Sequence, residues 1–257
     1  MGIEPLPDFS KVIYDLHVHS IASDGLHTVF EIIDIARSRG LIGVNISDHG
    51  PAQKHTNKIS SNFIFNERFP PNPDFYGGIQ IIKGIEANLL VDGTYDLFEL
   101  KKIHPSRFDL ISLGIHGDNT GFPRKQCEIF NTKKMLQCIE NYPVDILTHP
   151  CTLAFPLNIE KIVNACVEKG IALEINNTNL RLGKTDLNQL KLMLKLVKAY
   201  GCRLVANSDG HTWHEIGCFE KIYEFLLIQK FPIDYILNTS EEKTLAFIKE
   251  RKTLRQK

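Results

Sequence analysis

Histidine and carboxylate side chains recur in this chain at spacings that suit metal binding. His17-Val18-His19 and Asp209-Gly210-His211 each place two metal-capable side chains one residue apart. On a β-strand such residues point to the same side, because the side-chain period of a strand is two. Each pair can therefore bind one ion or two neighbouring ions. Imidazole with carboxylate and no thiolate suits Zn²⁺, Mn²⁺ or Fe²⁺ better than Mg²⁺ or Ca²⁺.

Similar residues stand at the ends of short apolar runs along the whole chain. These runs, rich in Ile, Leu and Val, predict buried strands at Val12–Val18, Gly43–Ser47, Ile79–Ile85, Leu110–Ile115, Val144–Thr148, Ala172–Ile175 and Arg203–Asn207. The polar residues at or after their ends include His17, His19, Asp24, His49, Glu86, His116, His149, Glu174, Asp209 and His211. In β/α barrels the carboxyl ends of the strands form the rim on which active sites are built. The pattern therefore predicts one metal site at such a rim.

Amphipathic stretches alternate with the strands and decide how the strands are arranged. They predict helices at Thr28–Arg39, Cys127–Asn141, Asn158–Lys169, Leu187–Tyr200, Glu215–Ile228 and Glu241–Arg251. This alternation favours right-handed crossovers and a parallel sheet. Seven strands without a glycine-rich dinucleotide loop favour a nearly closed barrel over an open sheet, as one domain spanning residues 1–257. The first and last strands would then be neighbours. Pro51–Gly78, which has no regular pattern, is expected to form an excursion or lid over one barrel end.

Composition excludes several classes of partner. Lys+Arg 30 against Asp+Glu 30 leaves a net charge of zero, which argues against a nucleic-acid partner. The chain has no signal-peptide pattern and no apolar run long enough for a membrane helix, so we expect a cytoplasmic protein without a membrane partner. The six cysteines form no CxxC pair and are expected to be reduced thiols. No oligomeric state is predicted.

Eight motifs, in order from about residue 13 to residue 218, resemble those of the PHP (polymerase and histidinol phosphatase) superfamily. They are Asp15–His19, Ser23–Gly25, Ser47–Gly50, Gly84–Asn88, Gly114–His116, Leu147–Pro150, Leu173–Asn177 and Asn207–Thr212. Gly84–Asn88 and Leu173–Asn177 are most similar to the YcdX-type phosphatases of that superfamily. The resemblance implies an α/β fold, a distorted (β/α)7 TIM-like barrel (the PHP fold), with a trinuclear metal centre that hydrolyses phosphate esters.

The resemblance also implies a set of ligands for each ion. One ion would be bound by His17, His19, Glu86 and Asp209. A second ion would be bound by Glu86, His116 and His149, and a third ion by Asp24, His49 and His211. The most similar relatives carry histidine near position 24, which leaves His27 as an alternative to Asp24 and a binuclear centre as an alternative to a trinuclear one. Two to three divalent ions are expected, Zn²⁺ or Mn²⁺, with Fe²⁺ as a further option. Asp15 and Asp48 are expected to fix the tautomer and orientation of the ligand imidazoles through their carboxylates, without binding an ion themselves.

The reaction so implied is hydrolysis of the phosphomonoester of a small metabolite by attack of metal hydroxide at phosphorus. Asp209, His211 and His214 are candidates for the leaving-group acid. Arg181 is the first choice for a cation on the substrate phosphate, with Arg68 and Arg124 as alternatives. A histidinol phosphatase is the nearest rival, because it needs only a different pocket in the same barrel. A nuclease is disfavoured by the zero net charge, and a non-catalytic metal-binding regulator by the nearly complete ligand set.

Overall fold

The computed structural model describes residues 12–53, 77–99, 105–117, 120–124 and 126–256. Most of the expected lid, and with it Arg68, lies outside the described residues. The seven predicted strands are present as β1 (Tyr14–Val18), β2 (Gly43–Ile46), β3 (Gln80–Asn88), β4 (Leu110–Gly114), β5 (Ile146–Leu147), β6 (Ala172–Asn176) and β7 (Arg203–Asn207). They pair in chain order and every pair is parallel, as the strand–helix alternation predicts.

The helices are α1 (Val29–Ser38), α2 (Glu128–Asn141), α3 (Ile159–Lys169), α4 (Asn177–Arg181), α5 (Leu187–Tyr200), α6 (Glu220–Ile228) and α7 (Glu241–Leu254). Their ends follow local chemistry: Thr28 and Glu31 form a capping box on α1, and Gly170 and Gly201 end α3 and α5 in the left-handed conformation. The sequence did not predict α4. The last two helices differ from their predicted bounds, since α6 begins after Glu215 and α7 continues beyond Arg251.

The barrel closes where the segments after β1 and β7 meet. The amide of His19 donates to the carbonyl of Gly210 at 3.0 Å, and the amide of Gly210 donates to the carbonyl of His17 at 3.3 Å. These bonds make the first and last strands neighbours, as predicted, and confirm the distorted (β/α)7 barrel. The closure lies at the carboxyl ends of both strands, so it brings the two histidine-containing pairs together.

A bulge in β1 aims the first of these pairs into the barrel. Asp15 pairs with Val44 and Val18 pairs with Ile46, so two residues of β1 oppose one of β2. Leu16 packs in an interior apolar cluster, and the next side chain, His17, contacts Glu174 of β6. Two consecutive side chains therefore point inward, and the bulge marks the level at which the interior changes from apolar to polar.

The lower part of the barrel interior is filled by one apolar cluster. Most strands contribute one or two residues to it, and α7 contributes Phe247, which packs across this end: Tyr14, Leu16, Ile82, Leu110, Ile146, Ala172, Val205 and Phe247. A larger cluster fills the layer between the strands and the surrounding helices. The polar rim thus rests on a packed apolar floor, which fixes the positions of its side chains.

All six cysteines are free thiols, and four of them are buried. Among the described residues, no helix is both long enough and apolar enough to cross a bilayer.

Candidate metal centre

The nine predicted ligands converge in one cluster at the carboxyl ends of the strands. Three sets of potential ligand atoms each lie within 4.8 Å of one another: His19, Asp24, His49 and His211; His17, His19 and Glu86; His49, Glu86 and His116. The remaining two ligands adjoin these sets. Asp209 Oδ1 lies 3.3 Å from His19 Nε2, and His149 Nε2 lies 3.1 Å from Glu86 Oε1.

Glu86, at the carboxyl end of β3, lies at the middle of the cluster. Its Oε2 is 3.2 Å from His17 Nε2 and 3.1 Å from His49 Nδ1, while its Oε1 is 3.4 Å from His116 Nε2. Gly114 on the neighbouring strand leaves the necessary space, because a Cβ there would lie 2.9 Å from Glu86 Oε1. The two oxygens of one carboxylate thus face two different sets of imidazoles, which is the arrangement of a bridging ligand.

The chemistry of these donors fits divalent cations. The carboxylate of Glu174 lies 2.8 Å from His17 Nδ1 and so holds a proton on that nitrogen. His17 Nε2 faces His19 Nε2 at 3.0 Å, and a cation that displaces the second proton of His17 would use the lone pair of Nε2. Glu86 Oε2 and His49 Nδ1 are buried 3.1 Å apart, and neither makes a hydrogen bond of good geometry with the described residues. Buried lone pairs that face one another are satisfied by a shared cation.

The electrostatics of the cluster keep its carboxylates ionised. Burial opposes ionisation of Glu86, but the charges of His17 and His116 hold the pKa of that carboxyl well below its usual range. The pKa of Asp209 is likewise held well below its usual range by His17 and His19, against the effect of burial. Burial and the neighbouring His211 and His49 lower the pKa of His19 to about 3. The neutral imidazole of His19 therefore offers a lone pair at neutral pH.

The structure brings Asp24, and not His27, into the cluster. Asp24 Oδ1 lies 3.2 Å from His211 Nε2, and Asp24 Oδ2 lies 3.4 Å from His49 Nε2. His27 instead lies beside α1, with its Nδ1 4.0 Å from Glu31. The loop after β1 therefore places a carboxylate at the third set of imidazoles. This carboxylate is the most exposed member of the cluster, at 37%.

Two non-ligand groups orient imidazoles of the cluster. Glu174 on β6 holds His17, and its other oxygen accepts the amide of His149 at 2.8 Å. Asn88, at the end of β3, has its Oδ1 2.7 Å from His116 Nδ1. The amide group of Asn88 donates in turn to Asp96 and to the carbonyl of Gly50. These contacts fix which nitrogen of each ring faces Glu86.

Asp15 and Asp48, which were expected to orient imidazoles, make no direct hydrogen bond to a ring among the described residues. Asp48 reaches the His19 ring through Ser23, whose hydroxyl donates to Asp48 Oδ1 and lies 3.4 Å from His19 Nδ1. Asp15 accepts the backbone amides of Ser208 at 3.1 Å and Gly217 at 2.8 Å. Asp48 accepts the amide and hydroxyl of Ser20, both at 2.7 Å. Both carboxylates fix the loops that follow the strands. Two other residues contact the rings: Glu174, which the sequence shows only as a polar strand-end residue, and Asn88, which is held by Asp96.

Two of the clustered residues hold strained backbone conformations. His149 has φ 33° and Asp209 has φ 54°, and the only other non-glycine residue with positive φ in the described part of the chain is Lys230. Side chains disfavour this region, and such strain persists where the surroundings impose it, often at functional sites. The hydrogen bond from the His149 amide to Glu174 is one such constraint.

We expect Asn88→Ala to weaken metal binding about ten- to a hundredfold, because His116 would lose the group that fixes its tautomer and ring orientation. Isothermal titration of the metal-free variant with Zn²⁺ or Mn²⁺ measures this. Asn141→Ala is a matched control, since Asn141 is exposed and its side chain bonds only its own helix, at the carbonyl of Gln137. Unchanged affinity in Asn88→Ala would contradict the orienting role.

The cluster lies at the floor of a cavity of about 700 Å³. Besides the ligands, the lining includes Ile115, Leu153, Phe155, Arg124 and Lys184. Arg181, the first choice for a substrate-binding cation, is not part of this lining. It forms an ion pair with Glu215 in a separate cleft that also contains His214.

Comparisons with known proteins identify relatives of this chain and a similar fold. No family model matches the chain. A probable phosphatase of Shewanella piezotolerans is 32% identical over 246 residues, covering 94% of this chain and 95% of that protein. A probable phosphatase of Acetivibrio thermocellus is 32% identical over 245 residues, covering 94% of this chain and 97% of that protein. The fold is similar to that of histidinol phosphate phosphatase from Lactococcus lactis, whose structure contains zinc, L-histidinol and phosphate. The TM-score of this comparison is 0.63, and the two sequences are 18% identical. The match covers 86% of this chain and 95% of that chain.

Proposed function

We propose that this chain, which belongs to the same family as these probable phosphatases, is a metal-dependent phosphatase that hydrolyses the phosphomonoester of a small metabolite at a trinuclear metal centre. The convergence of nine imidazole and carboxylate side chains, with Glu86 in their middle, at the floor of an open cavity is the observation that carries the proposal. The finer assignment to the YcdX-type phosphatases is part of the proposal and rests on the motifs Gly84–Asn88 and Leu173–Asn177.

The ligands divide into three sets, and the first two of these sets share Glu86. His17, His19, Glu86 and Asp209 would hold one ion; Glu86, His116 and His149 a second; Asp24, His49 and His211 a third. The mixed imidazole and carboxylate donors favour Zn²⁺ or Mn²⁺, with Fe²⁺ as a further option. When bound, such ions neutralise phosphoryl oxygens and lower the pKa of a water molecule that can attack phosphorus.

The residues of the chain then have separate tasks. Thr148 donates its hydroxyl to Glu86 Oε1 at 2.7 Å and so holds the bridging carboxylate in place. Glu174 keeps the proton of His17 on Nδ1, so that Nε2 faces the centre. Of the candidates for the leaving-group acid, Asp209 and His211 line the cavity, whereas His214 lies in the separate cleft. Because the pKa of Asp209 is held well below its usual range, that carboxyl is ionised, and His211 is the candidate that could give the leaving-group oxygen its proton.

Metal content and phosphatase activity test the proposal together. Elemental analysis of the purified protein should find two to three Zn or Mn ions per chain, and these should support hydrolysis of p-nitrophenyl phosphate that a chelator abolishes. His17→Ala should lose both metal and activity. Less than one ion per chain after reconstitution, together with no turnover, would overturn the proposal.

Asp24→Asn should lower the bound metal by one ion per chain, whereas His27→Ala should leave the metal content unchanged. An amide is a poorer cation ligand than a carboxylate, and His27 lies beside Glu31 instead of the cluster. Elemental analysis after equilibrium dialysis measures both variants. A loss of one ion in His27→Ala alone would show that this imidazole, and not Asp24, completes the third set.

Histidinol phosphatase activity is the second candidate, favoured by the fold similarity to the Lactococcus lactis enzyme. It differs from the first only in the leaving group, so hydrolysis of histidinol phosphate alongside other phosphomonoesters distinguishes the two.

A further inference from the structure

Asn176, the last residue of β6, lies between two buried carboxylates at the rim of the barrel. It follows Glu174 at a spacing of two residues, so both side chains lie on the same side of the strand. It pairs with Asn207, the last residue of β7, and Asp209 follows two residues later. The side chain of Asn176 therefore stands between the carboxylate that holds His17 and a predicted metal ligand.

The amide group of Asn176 has one orientation that satisfies all of these contacts. Its Oδ1 accepts the backbone amide of Asn179 at 2.8 Å and thereby caps the first turn of α4. Its Nδ2 carries two hydrogens and donates to Glu174 Oε2 at 2.9 Å and to Asp209 Oδ2 at 3.1 Å. The reversed orientation would turn the amide oxygen toward two carboxylates and the NH₂ group toward a backbone N–H. The cap on α4 therefore selects the orientation in which Asn176 donates to both carboxylates.

The two oxygens of Asp209 consequently have separate partners. Its Oδ2 accepts the bond from Asn176, while its Oδ1 lies 3.3 Å from His19 Nε2 and 3.5 Å from His17 Nε2. The backbone of Asp209 is in the left-handed conformation, with φ 54°, and the next amide, that of Gly210, donates to the carbonyl of His17. Backbone and side chain together hold Asp209 so that one oxygen faces the imidazoles.

Glu174 depends on the same amide group. Its Oε1 lies 2.8 Å from His17 Nδ1, and its Oε2 accepts the bond from Asn176. Without Asn176, two negatively charged oxygens that now share one donor would repel each other. Glu174 fixes the ring of His17, and Asp209 faces that same ring. A shift of either carboxylate would therefore disturb the ligands of one ion.

We infer that Asn176 is a positioning residue of the metal centre, which holds Glu174 and Asp209 so that Asp209 presents one oxygen to the ion of His17 and His19. This inference rests on the proposed function, in which that ion belongs to a phosphatase centre. Asn176 is not among the described residues that line the cavity, so its effect on hydrolysis passes through the two carboxylates. Groups that hold metal ligands in this way contribute about ten- to a hundredfold to metal affinity or activity.

Asn176→Ser separates this role from the capping of α4. A serine hydroxyl caps a helix about as well as an asparagine side chain, but it is too short to reach the two carboxylates while it does so. Asn176→Ala removes both functions. We expect both variants to bind at least one Zn²⁺ ion about ten- to a hundredfold more weakly than the wild type when the metal-free proteins are titrated. The visible absorption spectrum of the Co²⁺-loaded Asn176→Ser protein should also change, because the ligand geometry around one ion changes.

Asn158→Ser is the matched control. Asn158 caps α3 through the amide of Lys161 and donates its Nδ2 to the carboxylate of Glu128, and it is not part of the described cavity lining. This variant should keep the Zn²⁺ affinity and the Co²⁺ spectrum of the wild type. Unchanged Zn²⁺ affinity in Asn176→Ser, or a loss confined to Asn176→Ala, would show that Asn176 only caps α4 and would overturn the inference. A wild-type protein that hydrolyses no phosphomonoester when fully loaded with metal would instead overturn the proposed function.

Discussion

Glu86→Gln should reduce kcat/KM for phosphomonoesters at least about a thousandfold. The two oxygens of this one carboxylate face five imidazoles from four different strand ends. An amide keeps the shape but removes the negative charge and one strong ligand oxygen, so ions that take Glu86 as a ligand would be held less tightly. Metal ions contribute several kcal/mol to such reactions, and each 1.36 kcal/mol corresponds to about a factor of ten in rate.

Steady-state kinetics with p-nitrophenyl phosphate, together with elemental analysis, measures this effect. The variant should contain fewer ions per chain than the wild type and keep the same circular dichroism spectrum. Glu250→Gln makes the same chemical change in a partly exposed pair with Arg203 on the far side of the barrel, and it should leave kcat/KM unchanged. Full metal content with less than about tenfold loss in Glu86→Gln would show that this carboxylate does not bridge the ions.

The strands and most helices of this barrel could be predicted because their signals are local. Each strand is a short apolar run, and α1, α3 and α5 begin at capping side chains and end near glycines that favour a left-handed turn. The start of α6 was misplaced for a tertiary reason. The carboxylate of Glu215 accepts the amides of His211 and Thr212, which keeps this segment in turns before the helix begins.

The cluster itself could be predicted because its members occupy equivalent places, the carboxyl ends of parallel strands, and a closed barrel brings those ends together. The residues that orient the ligands could not be predicted from the sequence. Asp96 reaches Asn88 from a 3₁₀ turn, and the direction of Arg181 depends on its ion pair with Glu215. Arg124 reaches the cavity because Gly117 has no side chain. Contacts of this kind depend on how loops fold over the rim, and no periodicity of the sequence encodes them.

Asp145→Asn should lower the free energy of unfolding by about 3–5 kcal/mol, because it leaves two buried guanidinium groups without their counter-charge. Asp145 precedes β5 and is fully buried. It accepts a hydrogen bond from Arg251 Nε at 2.9 Å and forms an ion pair with Arg255. It also accepts a hydrogen bond from the backbone amide of Ile111 at 2.7 Å. Both arginines lie on or directly after α7, the helix whose Phe247 packs against the barrel floor. The same carboxylate thus joins α7 to β4 and β5.

Urea denaturation at an unchanged m-value measures this loss. Asp34→Asn is the matched control, since it removes an exposed i,i+3 pair with Arg37 and should cost at most about 0.5 kcal/mol. If uncompensated charge causes the loss, then adding Arg251→Met to Asp145→Asn should recover part of the stability, because one of the two unpaired cations is removed. A double variant less stable by the sum of the two single losses would contradict this explanation and would attribute the effect to lost packing and backbone hydrogen bonds instead.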